Sequence, residues 1–289
     1  MQPVHVGFRL RSRALRVCAN AMNPSLESIT RPDPNAPLLR VRDVVVRFGG
    51  IVALDQVSFD VPKQKIVGLI GPNGAGKTTL FNCLSRLYET TSGGIELDGL
   101  SILDLPAHAM AARGIGRTFQ NLALFPSATV FENILIGCHT RKHGNLLADM
   151  LSLRRSRQVN RAAAAVADEL IAYLRLGDVA YRKVAQLPFG TQKRVEFARA
   201  LAMKPRLLLL DEPACGLNHE EVEGLAELIR GTQRDFDLTV LLVEHHMGLV
   251  MGISDWIVAL NFGRRIAAGT PAQVQASPEV IAAYLGESK

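Results

Sequence analysis

At 289 residues, with 48% hydrophobic and 21% charged side chains, the chain has the composition of a globular protein with ample material for a core. Its formal charge of +6 rests largely on Arg9, Arg11, Arg13 and Arg16; without these four it falls to +2, and with aromatics at 6% no basic, aromatic-laced nucleic-acid surface is expected. No uninterrupted apolar run approaches the ~20 residues a membrane helix needs, since the best candidate, Leu238 to Leu260, is broken by Glu244, His245, His246 and Asp255, so the chain is not expected to cross a membrane itself.

Residues 1–37 read as a disordered extension or a misassigned start. Pro24, Pro32, Pro34 and Pro37 punctuate polar sequence, and Met22 offers an alternative beginning. An arginine-rich, acid-free opening also fits an organellar transit segment; it lacks the long apolar stretch of a signal peptide. Cys18, Cys83, Cys138 and Cys215 lie far apart with no C-x-x-C pair. That spacing argues against disulfide frameworks and zinc sites and predicts free thiols in a reducing cytoplasm.

The folded body is expected over 38–289. Leu38 to Phe48 alternates as a strand, Leu54 to Val61 is a second, and Gly93 to Gly99 reads as a hairpin strand. Together they predict a small antiparallel β layer. Between them lies the stretch with the most chemistry. Lys65 to Ile70 is apolar and β-branched, reading as a buried parallel strand, and Leu80 to Leu87 has helical periodicity. Joining them is Gly71-Pro72-Asn73-Gly74-Ala75-Gly76-Lys77-Thr78-Thr79, a G-x-x-x-x-G-K-T turn in the strand–turn–helix context of a P-loop. Glycines let backbone N–H groups approach phosphate oxygens, and the helix N-terminus adds a positive dipole end. Lys77 is then the cation for the terminal phosphates and Thr78 the hydroxyl for Mg²⁺.

Arg113 to Gln120 returns to a strand ending on glutamine. A composition shift follows, and 129–184 reads as mostly helical, with alanine-rich sequence from Arg161 to Asp168. We expect an inserted helical subdomain over approximately 121–190. Its Arg154–Arg161 patch reads as a solvated face rather than an anion site. Arg206 to Pro213 carries four leucines ending in Asp211-Glu212, the form of a buried parallel strand delivering carboxylates to a ligand crevice. Leu238 to Val243 is a similar strand ending at Glu244-His245-His246, and Ile257 to Asn261 a third. Gly263 to Gly269 reads as a final hairpin and Pro271 to Leu285 as one closing helix. The fold class expected is α/β, a P-loop NTPase core of RecA-like type with the small β layer and the helical insertion.

A P-loop alone says that phosphates are bound. Over 38–289, however, the chain resembles the ATP-binding subunits of ABC transporters, because the supporting stretches occur in that family's order: Phe48, the P-loop, Gln120, a signature stretch, Asp211-Glu212 and His245. The signature is Leu187-Pro188-Phe189-Gly190-Thr191-Gln192, followed by Lys-Arg-Val-Glu-Phe-Ala-Arg-Ala. Its family form begins Leu-Ser-Gly-Gly-Gln, so Pro188, Phe189 and Thr191 depart from it. The usual serine hydroxyl is missing, leaving the Gly190 N–H, the helix N-terminus and the Thr191 hydroxyl.

The resemblance implies that Phe48 stacks on adenine, the alternative being a core aromatic. It implies Asp211, with Thr78 and Gln120, toward Mg²⁺, Glu212 as the residue activating the attacking water, and His245 on the γ-phosphate. It also implies a dimer with a second ATPase subunit, identical or a related paralogue, since one protomer's signature covers the other's ATP. Cofactors ATP and Mg²⁺ follow. In the 213–218 stretch Asn218 stands where the family commonly has aspartate.

The finer similarity is to the branched-chain amino-acid uptake group. It rests on Leu187-Pro188-Phe189-Gly190, on Pro213 to Asn218, on Val243 to Asp255 and on the Ala283-Tyr284-Leu285-Gly286-Glu287 ending. It implies two transmembrane permease subunits, a periplasmic solute-binding protein acting indirectly, no nucleic acid, and a peripheral position on the cytoplasmic face of a bacterial inner membrane. The alternatives weighed are the ATPase of the lipopolysaccharide export machine, which shares the Tyr-Leu-Gly-Glu ending, and a soluble ABC protein of translation or repair. Gly248 to Asp255 favours the amino-acid group over the first. One cassette without coiled-coil or zinc inserts disfavours the second.

Overall fold

The computed structural model describes residues 36–118, 122–139 and 153–285. Three short strands organise it: β3 (Ile66–Ile70), β7 (Leu207–Asp211) and β8 (Thr239–Val243), each buried at every position. Continuous apolar runs of this kind suit a parallel sheet covered on both faces. They lie in a six-stranded sheet of order β10-β9-β3-β8-β7-β6, where β6 is Ile115–Arg117, β9 Trp256–Asn261 and β10 Arg264–Gly269. Only the β9–β10 pair is antiparallel.

The two-residue period of a strand divides this sheet's side chains between two cores. On one side Ile66, Ile70, Leu208, Leu210, Val240 and Leu242 meet the helices: α3 (Val130–His139), α4 (Leu153–Tyr173), α5 (Phe189–Ala202), α6 (His219–Asp235) and α7 (Met247–Ile253). On the other side Val67, Leu69, Leu207, Leu209, Leu241 and Val243 meet α1 (Lys77–Leu84) and a second sheet. That sheet is antiparallel, of order β2-β1-β4-β5, with β1 at Leu39–Phe48, β2 at Ile51–Val61, β4 at Ser92–Leu97 and β5 at Leu100–Ser101. Its strands alternate in burial because one face packs on the core and the other meets solvent.

Most expected elements form, with shifted ends. β2 starts three residues earlier than Leu54, and β6 stops at Arg117, one residue before the described Thr118. The expected single closing helix is two, α8 (Pro271–Gln275) and α9 (Pro278–Leu285). Pro278 has no N–H to continue α8, and it restarts the chain at a helical first position, where proline is favoured. The short α2 (Met110–Arg113) before β6 has no counterpart in the reading above. Between β6 and β7 the described residues are helical, apart from short connections, and Arg161 on α4 is exposed as expected. Gln120, residues 1–35 and the Gly286-Glu287 ending lie outside the described residues.

Cys83, Cys138 and Cys215 are free thiols, and burial pushes Cys83 and Cys138 up to about 11, which keeps both protonated and unreactive at neutral pH. Asp98, at the β4–β5 turn, ties the two sheets: it pairs with Lys63 at 3.1 Å and with Arg206, just before β7, at 2.8 Å. Burial works against its charge, but hydrogen bonds from Arg206 and Lys63 outweigh this and hold the carboxyl below its ordinary 3.8. A lowered folded value contributes stability above the unfolded value that is lost as pH falls through the folded one. Asp98→Asn should therefore cost up to about 1 kcal/mol at neutral pH. Urea unfolding curves of the two proteins should converge as pH drops below 3.8; a constant gap would refute the charge-based account.

Candidate functional site

The sheet's strand order builds the site. β8 lies between β3 and β7, with Leu69 opposite Val243 and Val243 opposite Asp211. Their carboxyl ends therefore present, side by side, the turn at 71–76, then Glu244-His245, then Glu212. This is the crevice position where parallel sheets place ligands.

The 71–76 turn is shaped by close backbone contacts. Gly76 caps α1 in the left-handed region (φ 97°), and a Cβ there would stand 2.7 Å from the Ala53 carbonyl oxygen. The Gly263 N–H, in the β9–β10 turn, donates to the Ala75 carbonyl at 3.1 Å, while Asp55 N–H donates to the Gly263 carbonyl at 2.8 Å. The turn is thus gripped between β2 and the last hairpin. Lys77 is buried, and its Nζ donates to the carbonyls of Gly71 and Pro72, at 2.5 and 2.8 Å. Asn73, Gly74 and Thr78 are exposed, while Ala75 is buried. The first turn of α1 contains no acidic residue, so its dipole and N–H groups are unopposed toward an anion. Phe48, at the tip of the β1–β2 hairpin, is 46% exposed, which removes the core-aromatic alternative. It meets Tyr88 edge-on, with ring centroids 5.3 Å apart.

At the ends of β7 and β8 two expected residues come together. Glu212 Oε1 and His245 Nε2 lie 2.6 Å apart, with Glu212 mostly enclosed and His245 open to solvent on one side. An ionised carboxylate only accepts, so Nε2 carries the hydrogen when Glu212 is charged. Glu212 adopts φ 48°, a left-handed backbone that is uncommon for a residue with a Cβ and that turns its side chain off the strand line.

Asp211 faces a partner that sequence reading passed over. Arg117 Nη2 donates to Asp211 Oδ2 at 2.7 Å, with both side chains under 10% exposed, at 8% and 6%. Its Nη1 donates to Asn82 Oδ1 on α1 at 2.9 Å and to Ser85 Oγ, just past the end of α1, at 3.0 Å. One guanidinium therefore joins the helix after the phosphate turn to the carboxylate that ends β7. Hard oxygen donors at Thr78 and Asp211 fit Mg²⁺, which takes few carboxylates and completes its shell with water and phosphate.

A family model described as ABC transporter matches residues 54–215. The branched-chain amino acid transport ATP-binding protein BraF of Pseudomonas aeruginosa is 44% identical over 252 residues, spanning 87% of this chain and 99% of its own. The corresponding LivG of Escherichia coli K12 is 43% identical over the same extent. A nucleotide-free ATP-binding cassette from an ABC transporter superposes with a TM-score of 0.74 at 27% identity, covering 86% of this chain and 98% of that one. The chain belongs to the ABC transporter family. As an ABC ATP-binding subunit it binds nucleotide, and its activity is ATP hydrolysis coupled to transport.

In this ABC cassette the unusual signature has a structural setting. Pro188 is the extended residue before α5, and Phe189 opens the helix, 44% exposed. Phe189 packs where a Cβ on Gly216 would stand 2.9 Å from its ring, and Lys193 Nζ lies 5.6 Å from its ring centre. Gly190 accommodates Glu221, whose Oε1 would be 2.6 Å from an added Cβ. Gln192 Nε2 donates to the Leu187 carbonyl at 2.8 Å, and Thr191 Oγ1 accepts from Arg194 at 3.3 Å. Asn218 caps α6: its side chain accepts from Glu221 N–H and Glu221 returns a bond to Asn218 N–H. Asparagine serves this capping box as well as aspartate does.

Glu244 was also passed over. It is 3% exposed and accepts three backbone N–H groups. Nothing local distinguishes Arg117 or Glu244 in the sequence, except that each adjoins a motif. Removing one member of a buried ion pair strands the other, typically costing 3–5 kcal/mol. Arg117→Ala should accordingly lower the melting temperature by roughly 10 °C. Adding Asp211→Asn should recover part of that loss; calorimetry showing additive losses would contradict the pairing.

Proposed function

We propose that this ABC ATPase drives an importer of branched-chain amino acids or related small solutes. In this reading it sits peripherally on the cytoplasmic face of the bacterial inner membrane. It pairs with a second ATPase subunit, a copy or a related paralogue, and two permease subunits carry the solute delivered by a periplasmic binding protein. The observation that carries the solute class is the extent of the likeness. A model described as branched-chain amino acid ATP-binding cassette transporter matches residues 264–289, beyond the stretch matched by the general family model. BraF and LivG match along 99% of their own length, whereas a sulfate/thiosulfate import protein of Burkholderia mallei is 35% identical along 66% of its length. Among the described residues no helix is long and apolar enough to cross a membrane, so in this reading the permeases supply the path.

The geometry and the family's chemistry support the following residue roles. Phe48 stacks on adenine. The N–H groups of 71–79 and Lys77 take the β- and γ-phosphates, with Lys77 Nζ turning from the loop's own carbonyls to the phosphate charge. Mg²⁺, when bound, neutralises phosphate charge, and Thr78, Asp211 and Gln120 are its proposed holders. Glu212 orients the attacking water and accepts its proton, and His245 Nε2–H fixes the Glu212 carboxylate and reaches toward the γ-phosphate. Leu187 to Gln192 covers the ATP of a partner protomer. A related ATP-binding cassette, superposing with a TM-score of 0.67 at 25% identity over 81% of this chain and 98% of its own, is described as a dimer with ADP and phosphate.

Glu212→Gln keeps the shape and removes the proton acceptor. Turnover should fall by about 10²–10⁴-fold while ATP binding persists and light scattering shows an ATP-dependent dimer. Hydrolysis at the wild-type rate would sink the assignment. For the solute, cells lacking this chain should lose uptake of radiolabelled leucine and regain it with the wild-type chain but not with Lys77→Ala. Undiminished uptake in the deleted strain would exclude the proposed substrate.

A further inference from the structure

Glu244 is a carboxyl group with almost no access to solvent, at 3% exposed. A buried carboxylate is costly unless hydrogen-bonded, and its bonds here are specific. Oε1 accepts Ala214 N–H at 2.5 Å; Oε2 accepts His245 N–H at 2.9 Å and His246 N–H at 3.2 Å. The first donor lies two residues after Glu212, and the second belongs to His245 itself. One side chain therefore spans the two loops that carry the proposed catalytic pair.

The need for such a span is visible in the backbone. β7 and β8 pair as far as Asp211 opposite Val243, and Glu212 N–H adds one more bond to the Val243 carbonyl at 2.9 Å. Beyond that bond both chains leave the sheet, and Glu212 does so with a left-handed backbone at φ 48°. Strained conformations persist only where the surroundings hold them. The carboxylate of Glu244 continues the ladder by other means, giving Ala214 and His245 a shared acceptor where strand pairing has ended.

We propose that Glu244 is a positioning residue for hydrolysis: its carboxylate clamps the 212–215 and 245–246 segments so that Glu212 Oε1 and His245 Nε2 meet at 2.6 Å. The inference rests on the reading of Glu212 and His245 as the catalytic pair. Glu244 acts through them, by its bonds to the backbone of 214, 245 and 246. Its chemistry is demanding. Aspartate keeps the charge but is one methylene short of spanning both loops. Glutamine keeps the length but turns one acceptor into an NH₂ that faces N–H donors.

The experiment uses the full chain with Glu244→Gln and Glu244→Asp, the latter retaining charge and fold should the former unfold. Steady-state ATPase assays, ATP titrations and hydrogen exchange at Ala214, His245 and His246 are measured on each. A catalytic group displaced by about 1 Å loses on the order of 100-fold in rate, so kcat should fall by that order. KM and the ATP Kd should change much less than kcat, because the phosphate turn and Phe48, proposed to take most of the nucleotide, are not bonded to Glu244, which reaches ATP only through His245. The three amides should exchange faster. If those amides lose protection while kcat stays at the wild-type value, the clamp is structural only and the inference is overturned; equal changes in kcat, KM and Kd overturn it too. Glu212→Gln, measured alongside, separates the two claims. Undiminished turnover there refutes the catalytic pair itself, whereas a dead Glu212→Gln beside an active Glu244 variant refutes only the clamp.

Discussion

The parallel register of β3, β8 and β7 is the constraint on which the rest of the molecule depends. Hydrogen bonding sets Leu69, Val243 and Asp211 in one row, so three loops far apart in the chain leave the sheet at the same level. Because both faces of the sheet are buried, the middles of these strands are apolar, and polar residues stand at their ends, Thr239 opening β8 and Asp211 closing β7. Charge appears at once at their carboxyl ends: Asp211 follows directly on Leu210, with Glu212 after it, and Glu244 follows directly on Val243. The helices on one face and the β layer on the other hold that edge in place.

Three carboxylates gathered at one sheet edge would repel, and each is compensated by a different kind of partner. Asp211 faces the buried guanidinium of Arg117, Glu212 faces the imidazole of His245, and Glu244 takes backbone N–H groups alone. The partners also differ in permanence. A guanidinium is donor-only and an amide has a fixed dipole, whereas an imidazole nitrogen can donate or accept. Fixed compensation thus falls on Asp211 and Glu244, and adaptable compensation on Glu212, the group proposed to take a proton.

The phosphate turn has a comparable division of labour. Its glycines answer to neighbours rather than to local flexibility, since Gly76 is pressed against Ala53 of β2 and Ala75 is bonded to Gly263 of the last hairpin. The antiparallel layer therefore supports the turn from one side, and its β1–β2 hairpin carries Phe48 on the same support. At the other end of the site, Phe189 fills the space over Gly216, and Glu221, in the first turn of α6, sits against Gly190, so the start of α5 packs on the Gly216 turn and the start of α6.

Much of this was legible in the sequence. Unbroken leucine and valine runs identify buried parallel strands, and the spacing of glycines before Lys77 identifies a phosphate turn, because such patterns are dictated by local geometry and by burial on both faces. The closing helix was misread because periodicity persists across Ser277-Pro278, while the backbone does not. Arg117 escaped notice because its partner Asp211 is 94 residues away, and Glu244 because its partners are amides, which are chemically alike at every position. The sequence by itself determined the buried strands, the phosphate turn before Lys77 and the carboxylates and histidine that follow the strands, since those patterns are set by local geometry and burial wherever the chain goes. Tertiary structure alone decided which of them meet, and what neutralises each buried charge. That follows from strand order, which puts β8 between β3 and β7, and a linear chain does not display strand order.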